Sequence, residues 1–208
     1  MVRQELFVGS NYANGLFGKK VLVVGHQKHA TKEEIEKYRN NSTLEYTYNK
    51  DNVEMLKQLC NGTCMKWEPY DRKSWLQFGK MLSGNRAFML GTKESSDLWE
   101  SIAFCNYLQI PDFNLEARQG KDKESLYVYS KKVFNEYIEE IEPDRIIVWG
   151  KYTYSYVSEL GEKIDDRHCI ITLPSGKSAY AFKINHPSRI GRGGYELVIH
   201  QIDSFLKQ

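Results

Sequence analysis

The chain has 208 residues, of which 41% are hydrophobic, 27% are charged and 13% are aromatic. These fractions are typical of a folded globular protein and exclude a long disordered tract. The formal net charge of +2 is too small to indicate by itself a nucleic-acid, membrane or acidic partner.

The first predicted element is a buried strand near the amino end. Residues 19–25, Lys-Lys-Val-Leu-Val-Val-Gly, form an apolar run without polar alternation, as expected for a strand that is covered on both faces of a parallel sheet. A polar loop over 26–30 follows. Thr31 stands three residues before Glu34, as in a helix-capping box, so a helix is predicted to begin near Thr31.

The middle of the chain alternates between helical patterns and a second apolar strand. Helices are predicted over 52–59 and over 71–82, where apolar residues recur at helical spacing. Residues 95–97, Ser-Ser-Asp, can cap a short helix that runs through 99–102. This helix leads into a second buried strand over 103–107.

The second half of the chain continues the same alternation. A helix with one apolar face covers 121–142, and a Pro-Asp turn leads into a buried strand over 145–150. Two closing strands over 169–173 and 179–184 are joined by a Pro-Ser-Gly-Lys turn. The final predicted element is a helix over 195–206.

Strands separated by helices predict βαβ units. We expect a single domain over residues 1–208 with an α/β, three-layer sandwich fold, in which helices cover both faces of a central, mostly parallel four-stranded sheet. Ligands of such sheets bind beyond the carboxyl ends of the strands. The residues that directly follow the strands are therefore the candidate functional residues.

Targeting and cysteine patterns favour a cytoplasmic protein. Residues 1–12 lack the apolar core of a signal peptide, and no window approaches the ~20 apolar residues that a membrane-spanning helix needs. The cysteines are too few and too scattered for a secreted disulfide framework, so we expect reduced thiols. They are Cys60, Cys64, Cys105 and Cys169.

Polar residues are concentrated at the ends of three predicted strands: residues 25–29, Gly-His-Gln-Lys-His, then Asn106, then residues 185–189, Asn-His-Pro-Ser-Arg. A histidine held by a Pro-Ser backbone can stabilise charge that develops on a leaving group. An asparagine presents a donor and an acceptor side by side, which is what reading the edge of a planar amide-containing base requires.

These segments resemble, in this order, those of the uracil-DNA glycosylase superfamily. Its first motif is a glycine-led polar loop after a strand, and its last motif is His-Pro-Ser. Segments that match in order and spacing lie at 21–25, 104–106, 143–150 and 184–188. Residues 7–12 and 16–19 also resemble a poorly characterised bacterial branch of the superfamily.

The resemblance implies specific roles. Asn106 would read the base edge, His186 would hydrogen bond to the departing base, and Gly25 would allow close approach of the backbone. After these, the implied base-binding positions are His26, His29 and Ser188. The implied DNA contacts are Arg189 and Arg192, to phosphates, and Ile190, as an apolar wedge into the duplex.

The first loop departs from the pattern of typical members, which carry an acidic or amide residue beside a proline to position the attacking water. This loop has no carboxylate and no proline. Gln27 can orient a water molecule but is too weak a base to deprotonate it, although a dissociative sugar transition state requires little of the base. Gln27 is therefore the second candidate catalytic residue, with His186.

We therefore expect a DNA N-glycosylase-like enzyme that hydrolyses the N-glycosidic bond of uracil or another damaged base in single- or double-stranded DNA. Two alternatives remain: a non-catalytic nucleobase or nucleotide-binding module of the same fold, and a hydrolase of free nucleosides or modified nucleotides. No cofactor is predicted. No metal is predicted either, because His26, His29 and His186 have no carboxylate or cysteine near them in sequence and the cysteine spacing does not suit an iron–sulfur cluster.

Overall fold

A computed structural model describes residues 3–26, 51–66, 69–109, 121–191 and 194–208. The described strands form one seven-stranded mixed sheet. They are β1 (Phe7–Val8), β2 (Val21–Gly25), β3 (Ile102–Asn106), β4 (Arg145–Trp149), β5 (Glu162–Lys163), β6 (His168–Thr172) and β7 (Ser178–Ile184). Their order across the sheet is β1-β3-β2-β4-β7-β6-β5. The α/β class is confirmed, whereas the prediction of four strands is wrong.

The parallel part of the sheet is its centre. Strands β3, β2, β4 and β7 run parallel to one another, while β1 adds to β3, β6 to β7 and β5 to β6 in the antiparallel sense. Strands β6 and β7 are joined by a short turn, which permits only antiparallel pairing. Strands β1 and β5 have two residues each, too few for an alternation or an apolar run to predict them.

The helices are α1 (Asp51–Cys60), α2 (Pro69–Ser83), α3 (Lys93–Glu100), α4 (Lys121–Ile141), α5 (Lys151–Val157) and α6 (Tyr195–Lys207). The helices predicted over 52–59, 71–82, 121–142 and 195–206 are confirmed as α1, α2, α4 and α6. The helix predicted from Thr31 lies outside the described residues. No helix in the described part of the chain combines the length and the apolarity needed to cross a membrane.

The cap predicted for the short helix α3 is wrong. Thr92, three residues upstream of Ser95, has an extended backbone, and its hydroxyl oxygen accepts a hydrogen bond from the Ser95 backbone N–H at 3.2 Å. Lys93 is therefore the first helical residue, and the helix ends at Glu100, directly before β3. Ser95 is instead buried inside the helix, where its hydroxyl accepts from Trp99 Nε1 at 2.9 Å.

Helices cover both faces of the sheet because every strand at its centre is apolar on both sides. In β2, Val21 and Val23 point into one hydrophobic core, and Leu22 and Val24 point into another. The first core packs against α1, α2, α3 and α6. The second core packs against α4 and α5. We call these two layers the first core and the second core.

The carboxyl ends of the parallel strands lie side by side, and we call this boundary the carboxyl edge. Gly25 at the end of β2 pairs with Asn106 at the end of β3, and Trp149 at the end of β4 pairs with Ile184 at the end of β7. Adjacent strands are about 4.8 Å apart, so the ends of β3 and β7 are separated by about 14 Å.

A buried arginine of β4 links the sheet to the C-terminal half of α6 by a hydrogen bond. Arg145 is 6% exposed. Its Nε donates to the carbonyl oxygen of Phe205 at 2.9 Å, and its Nη1 donates to the carbonyl oxygen of Asp144 at 3.1 Å. The guanidinium also lies 4.9 Å from the ring centre of Tyr180 and 5.5 Å from that of Phe205. The charge is thus satisfied by carbonyl dipoles and aromatic faces.

Replacing Arg145 by methionine keeps most of the side-chain volume but leaves the Phe205 carbonyl without its donor. We expect Arg145→Met to lower the free energy of unfolding by about 1–3 kcal/mol, measured by urea denaturation. Lys93→Met is the control, since Lys93 is an exposed cation whose ion pair with Asp97 is worth at most about 0.5 kcal/mol. Equal stability of the two variants would contradict this role of Arg145.

Candidate functional site

Gly25 and Asn106 form the closest contact at the carboxyl edge. A Cβ atom on Gly25 would lie only 2.5 Å from Oδ1 of Asn106 and 3.1 Å from Cζ of Phe104. Glycine is therefore required here because the Asn106 side chain occupies the space that any other side chain would need. The close contact that the structure shows at Gly25 is with the protein's own asparagine, and the approach of a base to this glycine stays a prediction.

The side-chain amide of Asn106 is the most distinctive polar group at this edge. The residue is 6% exposed. Its backbone carbonyl accepts from Gln109 Nε2 at 3.1 Å, but its side-chain amide makes no hydrogen bond with the described part of the chain. An amide that makes no hydrogen bond within the described chain keeps both its donor and its acceptor for a ligand at this edge.

Gln109 holds the end of β3 in place, and the sequence interpretation missed it. Its Oε1 accepts from the backbone N–H of Gln4 at 2.8 Å and from the Tyr137 hydroxyl at 3.1 Å, while its Nε2 donates to Asn106. Gln109 is 3% exposed. The available signal was a polar residue between two apolar ones, Leu108 and Ile110, because an amide buried in an apolar stretch requires hydrogen-bond partners.

His186 lies on the same side of the sheet as Asn106, beside the first core. Its Nδ1 is 2.8 Å from Ser188 Oγ and accepts from the Ser188 backbone N–H at 3.3 Å. A backbone N–H can only donate, so Nδ1 is an acceptor and the proton of the neutral ring is on Nε2. Ser188 therefore positions His186 and leaves the proton of the neutral ring on Nε2.

Trp149 flanks His186 at the carboxyl edge. The centres of the two rings are 5.5 Å apart, and their planes are inclined by 80°. The Trp149 ring also packs against those of Trp75 and Phe78, with centroid distances of 5.1 Å and 4.8 Å. Trp149 thus connects the His186 ring to an aromatic cluster of the first core.

His26 belongs to the opposite face of the sheet. Its Nδ1 is 3.2 Å from Thr153 Oγ1 of α5, and its ring stacks on Tyr156 with a centroid distance of 6.3 Å. Tyr156 in turn stacks on Tyr107 at 5.3 Å. Burial raises the pKa of both tyrosines well above the usual range, so they remain uncharged hydroxyls. His26 is thus near the carboxyl edge but not beside Asn106 and His186.

The residues predicted to contact DNA differ in their exposure to solvent. Arg189 is exposed after the His-Pro-Ser segment, as a phosphate contact requires. Ile190, in contrast, is 8% exposed and packs within the first core. A wedge must project from the surface, so the wedge role predicted for Ile190 does not fit its position. Gln27, His29 and Arg192 lie outside the described residues.

Two cavities lie near α6. One, of about 240 Å³, adjoins the His186 turn and is lined by Arg167, Asn185, Arg189 and the start of α6. A larger one, of about 770 Å³, lies between β6, β7 and the C-terminal half of α6, away from Asn106 and His186. Volume alone would favour the larger cavity as the ligand site. We favour the carboxyl edge because an asparagine amide without a hydrogen bond to the described chain and an oriented histidine occur there together.

Within the described ranges, no group of three or more His, Cys, Asp or Glu side chains is arranged to hold a metal ion. The four cysteines are free thiols. A scan against protein-family models and a search of curated proteins found no match for the chain. The assignment of a family therefore stays a prediction from the residues of the three strand ends.

The tautomer of His186 can be measured directly. We expect long-range ¹H–¹⁵N correlation spectra of the neutral form to place the proton on Nε2, and Ser188→Ala to keep that tautomer because the backbone donor remains. His168 is an internal control for which we expect the proton on Nδ1. Its Nδ1 lies 2.8 Å from a carboxylate oxygen of Asp165, and that oxygen can only accept a hydrogen bond. A proton on Nδ1 of His186 would contradict the assigned role of Ser188.

Ile190→Ala should lower the free energy of unfolding by about 2–5 kcal/mol, since the substitution opens a cavity in the first core. Leu197→Ala is the matched control, because Leu197 is 58% exposed on α6 and should change stability by no more than about 0.5 kcal/mol. The measurement is thermal or urea unfolding. Unchanged stability of Ile190→Ala would restore the exposed-wedge interpretation.

Proposed function

We propose that the protein is a DNA N-glycosylase-like enzyme that hydrolyses the N-glycosidic bond of uracil or another damaged base in DNA. One observation carries this proposal. Asn106 is 6% exposed, its side-chain amide makes no hydrogen bond with the described part of the chain, and it lies on the same face and edge of the sheet as His186. An amide and an imidazole donor that share one edge suit a planar heterocycle with carbonyl groups.

The distance between the strands that carry Asn106 and His186 is compatible with a ligand of one heterocyclic ring. Asn106 and His186 extend from strands about 14 Å apart, and each side chain spans several ångströms of that gap. Gly25 and Trp149 end the two strands that lie between them, and of these two residues Gly25 contributes no side chain. In this proposal a flat heterocyclic ring lies above Gly25, between the two side chains. The Asn106 amide can accept from a ring N–H and donate to the neighbouring carbonyl, which matches the edge of uracil.

The chemistry follows from the tautomer of His186. As the bond between the sugar carbon and the base nitrogen breaks, its electron pair moves onto the base, and negative charge builds on the adjacent carbonyl oxygen. Nε2–H of His186 stabilises that oxygen by hydrogen bonding. The oxygen of a water molecule bonds to the sugar carbon, and the proton that this water loses balances the charge of the released base. Gln27 remains the proposed residue for positioning this water.

The DNA partner is supported by Arg189, which is exposed beside the cavity that adjoins the His186 turn. A cation at that position can hold a phosphate next to the target nucleotide. The buried position of Ile190 favours a strand whose base is already unpaired, because opening a duplex needs a wedge. We therefore propose single-stranded DNA as the better substrate.

The test is release of free uracil from a single-stranded oligonucleotide and from its duplex. We expect release from both, faster from the single strand, and a loss of about 10²–10³-fold in His186→Ala because one oxyanion donor is removed. Asn106→Ala should lose activity through weaker base binding. The control is His200→Ala, which changes an exposed histidine of α6 and should retain activity.

Absence of release by the folded protein would overturn the enzymatic proposal. If free uracil then still binds, and Asn106→Ala abolishes the binding, the same site supports the second candidate function, a nucleobase or nucleotide-binding module. That candidate is favoured by the same buried amide, since binding requires no water-positioning group. Salt dependence of binding separates DNA from a free nucleoside, because phosphate contacts release counterions.

A further inference from the structure

The indole N–H of Trp149 is a buried hydrogen-bond donor. Trp149 is 5% exposed, and its Nε1 has no hydrogen-bond partner among the described residues. Burying an N–H group without an acceptor costs free energy, and most buried donors in native proteins are satisfied. This N–H therefore requires an explanation beyond packing.

The neighbouring indole of Trp99 is a direct comparison. Both tryptophans pack against Trp75 and Phe78 in the aromatic cluster of the first core. Trp99 Nε1 donates to Ser95 Oγ at 2.9 Å, so a side chain inside this core satisfies it. If Trp149 served packing alone, phenylalanine would fill a similar role without burying an unpaired polar atom.

The position of Trp149 indicates which acceptor it could serve. The central strands lie in the order β3-β2-β4-β7. Trp149 ends β4, whose neighbours are β2, which ends at Gly25, and β7, which leads to His186. Its ring meets the His186 ring edge to face at 5.5 Å. It shares the first core with Phe104, two residues before Asn106 in β3. A ligand held between Asn106 and His186 would thus lie against Trp149.

We propose that Nε1–H of Trp149 donates a hydrogen bond to a carbonyl oxygen of the bound heterocycle, as a second donor beside Nε2–H of His186. The inference rests on the proposed site at the carboxyl edge. Its ligand class is a heterocycle with a carbonyl next to the nitrogen that bonds to the sugar, as in uracil. Two donors on that oxygen stabilise it most when it carries negative charge, so Trp149 contributes to both base selection and catalysis.

A pair of ligands tests this inference without the hydrolysis reaction. Uracil has the carbonyl in question, whereas pyrimidin-4-one lacks that oxygen and keeps the edge that Asn106 would read. In protein labelled with ¹⁵N at its four tryptophans, Trp149→Phe assigns the indole signal. We expect uracil, but not pyrimidin-4-one, to shift this signal. Trp149→Phe should weaken uracil binding about tenfold and leave pyrimidin-4-one binding unchanged. Trp99→Phe is the matched control and should bind both ligands as the natural protein does.

The outcomes separate this inference from the proposed function. A Trp149 signal that is unmoved while uracil binds, or uracil affinity unchanged in Trp149→Phe, overturns the inference, even if the protein releases uracil from DNA. A failure of uracil to bind also overturns it. A shifted signal without release from oligonucleotides supports the role of Trp149 in binding and overturns the enzymatic function alone.

Discussion

The contact between Gly25 and Asn106 is the constraint on which the carboxyl edge depends. Two neighbouring parallel strands end in register, and the amide of one occupies the volume that a side chain on the other would need. The asparagine can be buried there only because its partner is glycine. Gln109 then fixes the asparagine backbone from the second-core side through Tyr137 and the segment at Gln4. The amide is thereby held in place without any hydrogen bond of its own to the described chain.

Long helices and strands with a periodic or apolar pattern were predictable from the sequence. Two-residue strands and the exact cap of a short helix were not. The apolar runs of β2, β3 and β4 and the amphipathic pattern of α4 produce strong local signals, which the structure confirms. Strands β1 and β5 have two residues each and owe their existence to partners distant in sequence. The cap of α3 was misplaced because Thr92 and Ser95 are both good capping residues, and only the backbone conformation distinguishes them.

The candidate site was predictable in part for the same reason. Asn106 and His186 follow strands, so the topology of a parallel sheet brings them to one edge. The face of the sheet to which a side chain points is harder to predict than the edge at which it lies. His26 points toward α5, and Ile190 points into the first core. Sequence gives no indication that the N–H of Trp149 lacks a partner, because that property depends on every residue that packs around it.

The two-residue strands at the sides of the sheet have a consequence for behaviour at high concentration. An outermost strand presents unpaired N–H and C=O groups that can recruit another chain and begin a fibril. Among the described strands β1 and β5 are outermost, and each has only two residues with which to pair another chain. The apolar strands β2 and β4 are paired along both sides, so neither can begin cross-β stacking while the protein is folded.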